Sequence, residues 1–187
     1  MRLFTGIAIP TAVTDRMERT LALLRPTAAL RWAPLTNLHI TTKFIGAWEE
    51  SRLEELRRAL SQVTLPFSLE ITVSRFGYHP NPHQPKVFFA GVRGPGIELL
   101  NTAIEGALEP LGCPREQRPY SPHLTLARIR GENVGGLRAQ IATLRDFDFG
   151  VFNATAFHLY ASEKGGESSV YRALASFEFG RKEAIAC

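Results

Sequence analysis

The sequence predicts an α+β fold of two pseudo-symmetric lobes, each a mainly antiparallel sheet covered by helices, with the active cleft where they meet. Three features carry that expectation. Runs with two-residue alternation are interspersed with runs bearing a helical apolar stripe along all 187 residues. No linker or break in composition separates them, so residues 1–187 read as one domain, long enough to bury a proper core. One tetrapeptide, His39-Ile40-Thr41-Thr42, returns in the second half as His123-Leu124-Thr125-Leu126, each time within an apolar, β-prone run.

Residues 3–9 make a first strand, stopped by Pro10. Residues 11–24 are helical, with Val13, Met17, Leu21 and Leu24 on one stripe and Pro26 just beyond. Arg31-Trp32 falls in a loop before the first motif strand at 38–45. A helix over 50–63 buries Leu53, Leu56, Leu60 and Val63, after which Phe67, Leu69, Ile71 and Val73 alternate as a half-buried strand. The Pro-, His- and Asn-containing run 79–85 is a loop leading to a strand at 86–92. A helix over about 96–111 carries Ile97, Leu100, Ile104, Leu108 and Leu111, with Gly112 as its terminator. The second motif strand spans 123–129, and a helix with Val134, Leu137, Ile141 and Leu144 follows it. Strands at 147–152, 154–162 and 168–179 complete the chain, and Gly165-Gly166 turns the last hairpin. Both halves thus run helix, motif strand, helix, strands.

Hydrophobic residues make up 44% and mean hydropathy is −0.07, as in a soluble globular protein. No apolar stretch approaches the ~18 residues of a membrane span. The first residues read directly as a strand and lack a signal peptide's apolar region and cleavage site, so a cytoplasmic location is expected. Cys113 and Cys187 form no metal-binding spacing and read as free thiols. A net charge of +4 and a pI near 9.4 favour anionic partners. No phosphate-loop pattern G-x-x-x-x-G-K-[ST] occurs, which argues against ATP-dependent chemistry.

In a strand, side chains at i and i+2 share a face, so His39 stands beside Thr41 and His123 beside Thr125. If the two strands face each other, two imidazoles and two hydroxyls line one cavity. Such a set suffices for acid–base work on a phosphate without a metal. The plainer reading is a duplicated fold that keeps a structural His–Thr hydrogen bond. The other histidines carry less. His79 and His83 occupy the Pro-rich loop with no ligand set for zinc, and His158 alternates between Phe157 and Leu159 as a structural residue. Trp32 is expected as a core or cleft-wall aromatic. Lys43 shares the parity of His39, which would add positive field to the cleft or leave a solvated lysine.

Arg31-Trp32, the run Asn37-Leu38-His39-Ile40-Thr41-Thr42-Lys43-Phe44-Ile45-Gly46 and the run Pro119-Tyr120-Ser121-Pro122-His123-Leu124-Thr125-Leu126-Ala127-Arg128 resemble the two signatures of the two-histidine phosphoesterase superfamily. Within it, the sequence is most similar to the bacterial and archaeal RNA 2′,3′-cyclic phosphodiesterases, also called 2′-5′ RNA ligase-like proteins. The similarity extends to Pro85-Lys86-Val87-Phe88-Phe89-Ala90-Gly91-Val92 and Ser169-Val170-Tyr171-Arg172-Ala173-Leu174. Thr42 departs from an expected Leu; it should point away from the cleft.

The resemblance implies hydrolysis of RNA 2′,3′-cyclic phosphate ends to 2′-phosphomonoesters, with no metal and no cofactor. It implies His39 as proton donor and His123 as proton acceptor, roles that the near-symmetric motifs alone leave open, with Thr41 and Thr125 on the phosphate. It also implies that Phe44 and Arg128 bind substrate beside the base. Both lie five residues after their histidine, and plain strand parity aims them at the opposite face. The expected partner is RNA with a 2′,3′-cyclic phosphate end, or a small cyclic nucleotide, bound by a monomer away from membranes. Two rivals use the same residues: 2′-5′ RNA ligation, with a 5′-hydroxyl replacing water, and a catalytically silent RNA-binding module. Binding alone would call for Arg, Lys and aromatics more than paired histidines.

Overall fold

The computed structural model of the chain describes residues 1–145, 147–165 and 169–180. In order, the main elements are β1 (Arg2–Ala8), α1 (Thr11–Leu24), β2 (Arg31–Trp32), β3 (His39–Ala47), α2 (Leu53–Ser61), β4 (Leu69–His79), β5 (Val87–Arg93), α3 (Ile97–Leu108), β6 (His123–Arg128), α4 (Gly135–Thr143), β7 (Asp148–Ala154), β8 (Ala156–Lys164) and β9 (Ser169–Glu178). The strands join antiparallel in the order β7-β4-β5-β6-β3-β1-β8-β9, with β2 added against β6. This is the expected α+β architecture, with the antiparallel strands of both lobes joined into one nine-stranded sheet under helices.

Helices α1 and α4 pack together on the wing that ends in β7, whereas α2 and α3 cover the wing of β3, β1, β8 and β9. The two wings therefore do not correspond to the two sequence halves. The first strand, β1, lies between β3 and β8, so the N- and C-terminal parts of the chain share one sheet. The wings meet at the motif strands, where Ile40 pairs with Leu124. Beyond Leu124, β2 takes the place of β3 along β6: Arg31 faces Arg128, Trp32 faces Ala127, and the Ala33 N–H donates to the Leu126 carbonyl at 2.8 Å. Arg31-Trp32 is thus a short strand rather than the expected loop.

The helical stripes behave as their periodicity predicts. Val13, Met17, Leu21 and Leu24 are all buried along α1, each worth about 1.5–3 kcal/mol of transfer free energy. Ile97, Leu100, Ile104 and Leu108 do the same for α3. Gly112 follows the 3-10 turn Glu109–Leu111 with φ of 89°, a left-handed conformation that only glycine adopts freely. The helix expected over 50–63 opens as a 3-10 turn, Glu50–Arg52, before α2 begins. β4 continues past Val73 to His79, because a bulge at Arg75, where φ is 61°, resets the strand instead of ending it.

Cys113 is a buried thiol whose Sγ lies 3.9 Å from the Ile45 carbonyl oxygen. Cys187 and Gly166 lie outside the described residues. No described helix is long and apolar enough to cross a membrane.

Candidate active site

The motif strands carry the same order of burial: half-buried, buried, half-buried, buried, buried, exposed. Two consecutive buried residues break strict alternation, and a bulge in each strand is the cause. Thr5 and Gly6 of β1 pair with Lys43 and Thr41, which leaves Thr42 as the extra residue of β3. Phe88 and Phe89 of β5 pair with Ala127 and Thr125, which leaves Leu126 as the extra residue of β6. Each bulge reverses the parity of the residues after it. Phe44 and Arg128 therefore return to the face that bears the histidines, the inner face of the cleft.

Around Ile40 and Leu124 the antiparallel register sets His39 across from Thr125 and Thr41 across from His123. Ile40 and Leu124 are fully buried, so these four neighbours project to the opposite, open face. Facing positions in such a ladder have Cβ atoms roughly 5 Å apart, and diagonal ones roughly 7–8 Å. The two imidazoles stand on a diagonal of this quartet. The structure thus brings together His39, Thr41, His123 and Thr125.

Each imidazole is oriented by the carbonyl two residues earlier. His39 Nδ1 lies 2.7 Å from the Asn37 oxygen and His123 Nδ1 lies 2.8 Å from the Ser121 oxygen. A carbonyl only accepts, so Nδ1 carries the hydrogen in both rings and Nε2 is left for the cleft. The His39 Nε2 meets the Thr41 hydroxyl at 3.0 Å. Burial pushes the His39 pKa down; the Asn37 carbonyl opposes this, and a positively charged His123 would add to it.

Aromatic rings enclose both imidazoles, and the motifs themselves give no sign of most of them. Phe4 lies 4.6 Å and Tyr171 5.1 Å from His39, while Phe89 lies 5.3 Å from His123. Gly6 beside His39 is needed for close approach, since a Cβ there would sit 2.9 Å from the Ile40 carbonyl oxygen and 3.3 Å from the His39 ring. A pocket of about 340 Å³ opens beside His39 and includes Asn37, Thr36, Thr11, Thr14, Tyr160 and Tyr171 in its wall.

Two expectations are corrected. His79 is no bystander in a loop: it closes β4, stacks on Phe89 at 4.5 Å and approaches His123 edge-on at 4.8 Å. Its buried Nε2 has no hydrogen-bond partner among the described residues, and its pKa is lowered by burial first and by His123 second. The cause is the bulge at Arg75, which turns His79 inward across Gly77, whose missing side chain leaves room for the Phe89 ring. Lys43 is neither in the cleft nor solvated. The bulge at Thr42 turns it inward, 4% exposed, where Nζ donates to Glu105 at 2.8 Å and to the Pro114 carbonyl at 2.7 Å. Burial alone would raise the Glu105 pKa, but Lys43 and the Glu116 N–H hold it below the usual range. His158 is a structural residue, as expected. It pairs with Gly6 and lies 5.7 Å from Tyr160, with its pKa lowered by burial.

The expectations for Thr42 and Trp32 stand. Thr42 points away from the cleft, its hydroxyl 2.7 Å from that of buried Thr5. Trp32 packs edge-on against core Phe88 at 5.9 Å. Among the described residues, no group of three or more His, Cys, Asp or Glu side chains is arranged to hold a metal ion.

Residues 7–89 and 94–171 match the model of the LigT-like phosphoesterase family. An RNA 2′,3′-cyclic phosphodiesterase of Methanocaldococcus jannaschii is 29% identical over 93% of this chain and 98% of its own length. One of Thermus thermophilus is 29% identical over 98% of this chain and 95% of its own. Among solved structures, a Thermus thermophilus protein superimposes with a TM-score of 0.80 at 25% identity, covering 98% of this chain and all of that one. Escherichia coli LigT in complex with 3′-AMP gives 0.79 at 25% identity, covering 95% and 97%. With the match running through both motif strands and nearly every element between β1 and β9, the chain belongs to the LigT-like phosphoesterase family.

Proposed function

We propose that the chain hydrolyses the 2′,3′-cyclic phosphate end of RNA to a 2′-phosphomonoester, without a metal. The observation that carries this reading is the quartet, which presents two Nε2 atoms and two hydroxyls to one open face. A cyclic phosphodiester needs a base for the attacking water, an acid for the departing 3′-oxygen, and donors for the non-bridging oxygens where charge grows. His123 Nε2 takes the proton of the water as its oxygen bonds to phosphorus. His39, protonated at Nε2, gives its proton to the 3′-oxygen as the P–O3′ bond breaks, and the phosphate remains on O2′. Thr41 and Thr125 donate to the non-bridging oxygens, their β-branched side chains stiff at χ1. Phe44 and Arg128, on the cleft face, bind the nucleotide.

Family membership and the names of the M. jannaschii and T. thermophilus relatives support the same substrate. Assigning His39 as acid and His123 as base rests on the family pattern, since both rings have equivalent Nδ1 anchors.

The test is to incubate the protein with EDTA and a nucleoside 2′,3′-cyclic phosphate and identify the product by phosphorus NMR. Full activity yielding the 2′-phosphomonoester is expected. Activity that collapses with the chelator, or a 3′-phosphate product, overturns the mechanism. Condensation with a 5′-hydroxyl oligonucleotide in preference to hydrolysis would move the reading to ligation.

A further inference from the structure

Asn37 makes two contacts that bear on the site. Its backbone carbonyl oxygen accepts from His39 Nδ1 at 2.7 Å, and its side-chain amide donates to the Ser169 carbonyl, 132 residues away, at 2.6 Å. We infer that Asn37 is a positioning residue for the proposed acid: its amide ties strand β9 to the turn before His39 and so holds Tyr171 against the imidazole. The inference rests on the phosphodiesterase reading for the role of His39 and goes beyond it in saying what aims that ring. The carbonyl needs no help from the amide. Asn37 closes the 3-10 turn Leu35–Asn37, where its own N–H donates to the Pro34 carbonyl at 2.9 Å and the Leu38 N–H donates to that of Leu35 at 3.1 Å. The backbone therefore fixes the oxygen that orients His39, and the side chain is left to reach elsewhere.

What it reaches is the first residue of β9, the last strand of the sheet, which pairs only with β8. A strand at the edge of a sheet is held on one side alone, so side-chain donors to its carbonyls add a second hold. Arg57 of α2 does this at Leu174, at 3.0 Å, and Asn37 does it at the end nearest the site. Two residues on from Ser169, Tyr171 stands edge-on to His39 at 5.1 Å and to Phe4 at 5.0 Å. The hydrogen bond at Nδ1 fixes one point of the imidazole, and Tyr171 fixes its plane. Asn37, His39 and Tyr171 line the same pocket. The second motif lacks this device: Ser121 is exposed, and its side chain makes no hydrogen bond among the described residues. The titratable groups around His39 are Tyr171 on β9, Tyr160 and His158 on β8, and His123 on β6. Of these, only a charged His123 shifts its ionisation; burial, to which Tyr171 contributes, is the larger cause of its lowered pKa.

The experiment follows the His39 ring by NMR titration of the free protein, and kcat and KM on adenosine 2′,3′-cyclic phosphate. It compares wild type, Asn37→Ala, Tyr171→Ala, Tyr171→Phe and the double variant Asn37→Ala with Tyr171→Ala. Loss of the tether should let water reach His39, so its titration should move to higher pH in Asn37→Ala and in Tyr171→Ala. The double variant should shift no further than the larger single one, because the two residues act as a unit. Tyr171→Phe keeps the ring and should titrate as wild type. In Asn37→Ala, kcat at its optimum should fall roughly ten- to a hundredfold, the upper end being the effect of misplacing a reacting group by about 1 Å, with KM little changed. A His39 titration that Asn37→Ala leaves in place, additive shifts in the double variant, or an undiminished kcat each overturns the inference. Should Asn37→Ala not fold, Asn37→Leu keeps the bulk without the donor and must show the same shift. If wild type hydrolyses no cyclic phosphate, the phosphodiesterase reading is what fails, and the NMR titrations alone decide whether Asn37 ties Tyr171 to His39.

Discussion

Strands β3 and β6 are two answers to one geometric problem, and their differences are more instructive than their likeness. Position by position, His39, Ile40, Thr41 and Phe44 correspond to His123, Leu124, Thr125 and Arg128, with the same burial at each step. The bulge and the residue after it are Thr42 and Lys43 in one strand, Leu126 and Ala127 in the other. β3 thus buries a hydroxyl and an ammonium beneath its histidine, each matched to a partner: Thr5, and Glu105 with Pro114. β6 buries only hydrocarbon there. The enclosures differ too. His39 lies among Phe4, Tyr160 and Tyr171, whereas His123 lies against Phe89 and a third imidazole, His79. What the strands have in common, the histidine, the threonine and the bulge, is what the proposed chemistry requires. The places where they diverge concern support and substrate.

The largest effects should come from what is common. His39→Ala and His123→Ala are each expected to lower kcat by at least ~10²-fold, the lower end of acid–base contributions. Thr41→Ala and Thr125→Ala should cost less, since each is one of several phosphate donors. Steady-state kinetics on a cyclic nucleotide decides the matter, and a histidine variant that keeps most of its activity loses its assigned role.

Next is the buried polar pair of β3. Lys43→Met removes the buried counter-ion of the Glu105 carboxylate and leaves it the Glu116 N–H, and destabilisation of about 3 kcal/mol, the lower end for a broken buried pair, is expected. Lys43→Met with Glu105→Leu, which gives β3 the apolar backing of β6, should recover most of it. Urea unfolding of the single and double variants measures both. A double variant no more stable than Lys43→Met would mean that the loop carbonyl of Pro114, not the ion pair, is what Lys43 secures.

The two enclosures should also be visible in the pH dependence. In the free protein burial disfavours the charged His39 imidazole, while the proposed mechanism starts with that ring protonated. The fall of kcat/KM with rising pH should therefore set in below the ordinary histidine value near 6.5. A bound phosphate favours the imidazolium, so the corresponding fall in kcat should lie at higher pH. Coincident falls in the two profiles would show that substrate does not restore the proton to His39.

How legible is such a site in the sequence? The quartet can be read because i and i+2 on one strand share a face whatever the partner strands do, and because the motif occurs twice. Phe44, Lys43 and Arg128 lie beyond a bulge, and there parity misleads. Thr42 and Leu126 are not glycines and carry no local mark of a bulge; it emerges only when β1 and β5 are laid alongside. His79 is unreadable for a related reason. Its position depends on the bulge at Arg75 and on a hairpin that carries it towards a strand more than forty residues away. The helices are the easier part, since an amphipathic stripe is a property of one segment alone. The interleaved wings cannot be seen in either half, because β1 pairs with both β3 and β8 and only the assembled sheet shows it.

The smallest expected effect isolates the third imidazole. His79 is held below its ordinary pKa, first by burial and then by His123. An unfolded chain binds a proton at this residue near pH 6.5, while the folded one binds it only at lower pH. Between those values the unfolded state carries more protons, so stability rises with pH there and declines as pH falls below about 6.5. His39 and His158, also lowered by burial, act in the same direction. His79→Phe keeps an aromatic ring for stacking on Phe89 and removes one of these three titrations. Its Tm should therefore fall less than that of wild type between pH 7 and pH 5, while His79→Ala, which also loses the stack, should be less stable across the whole range. Parallel Tm curves for wild type and His79→Phe would show that the imidazole takes up its proton as readily in the folded protein as in the unfolded chain.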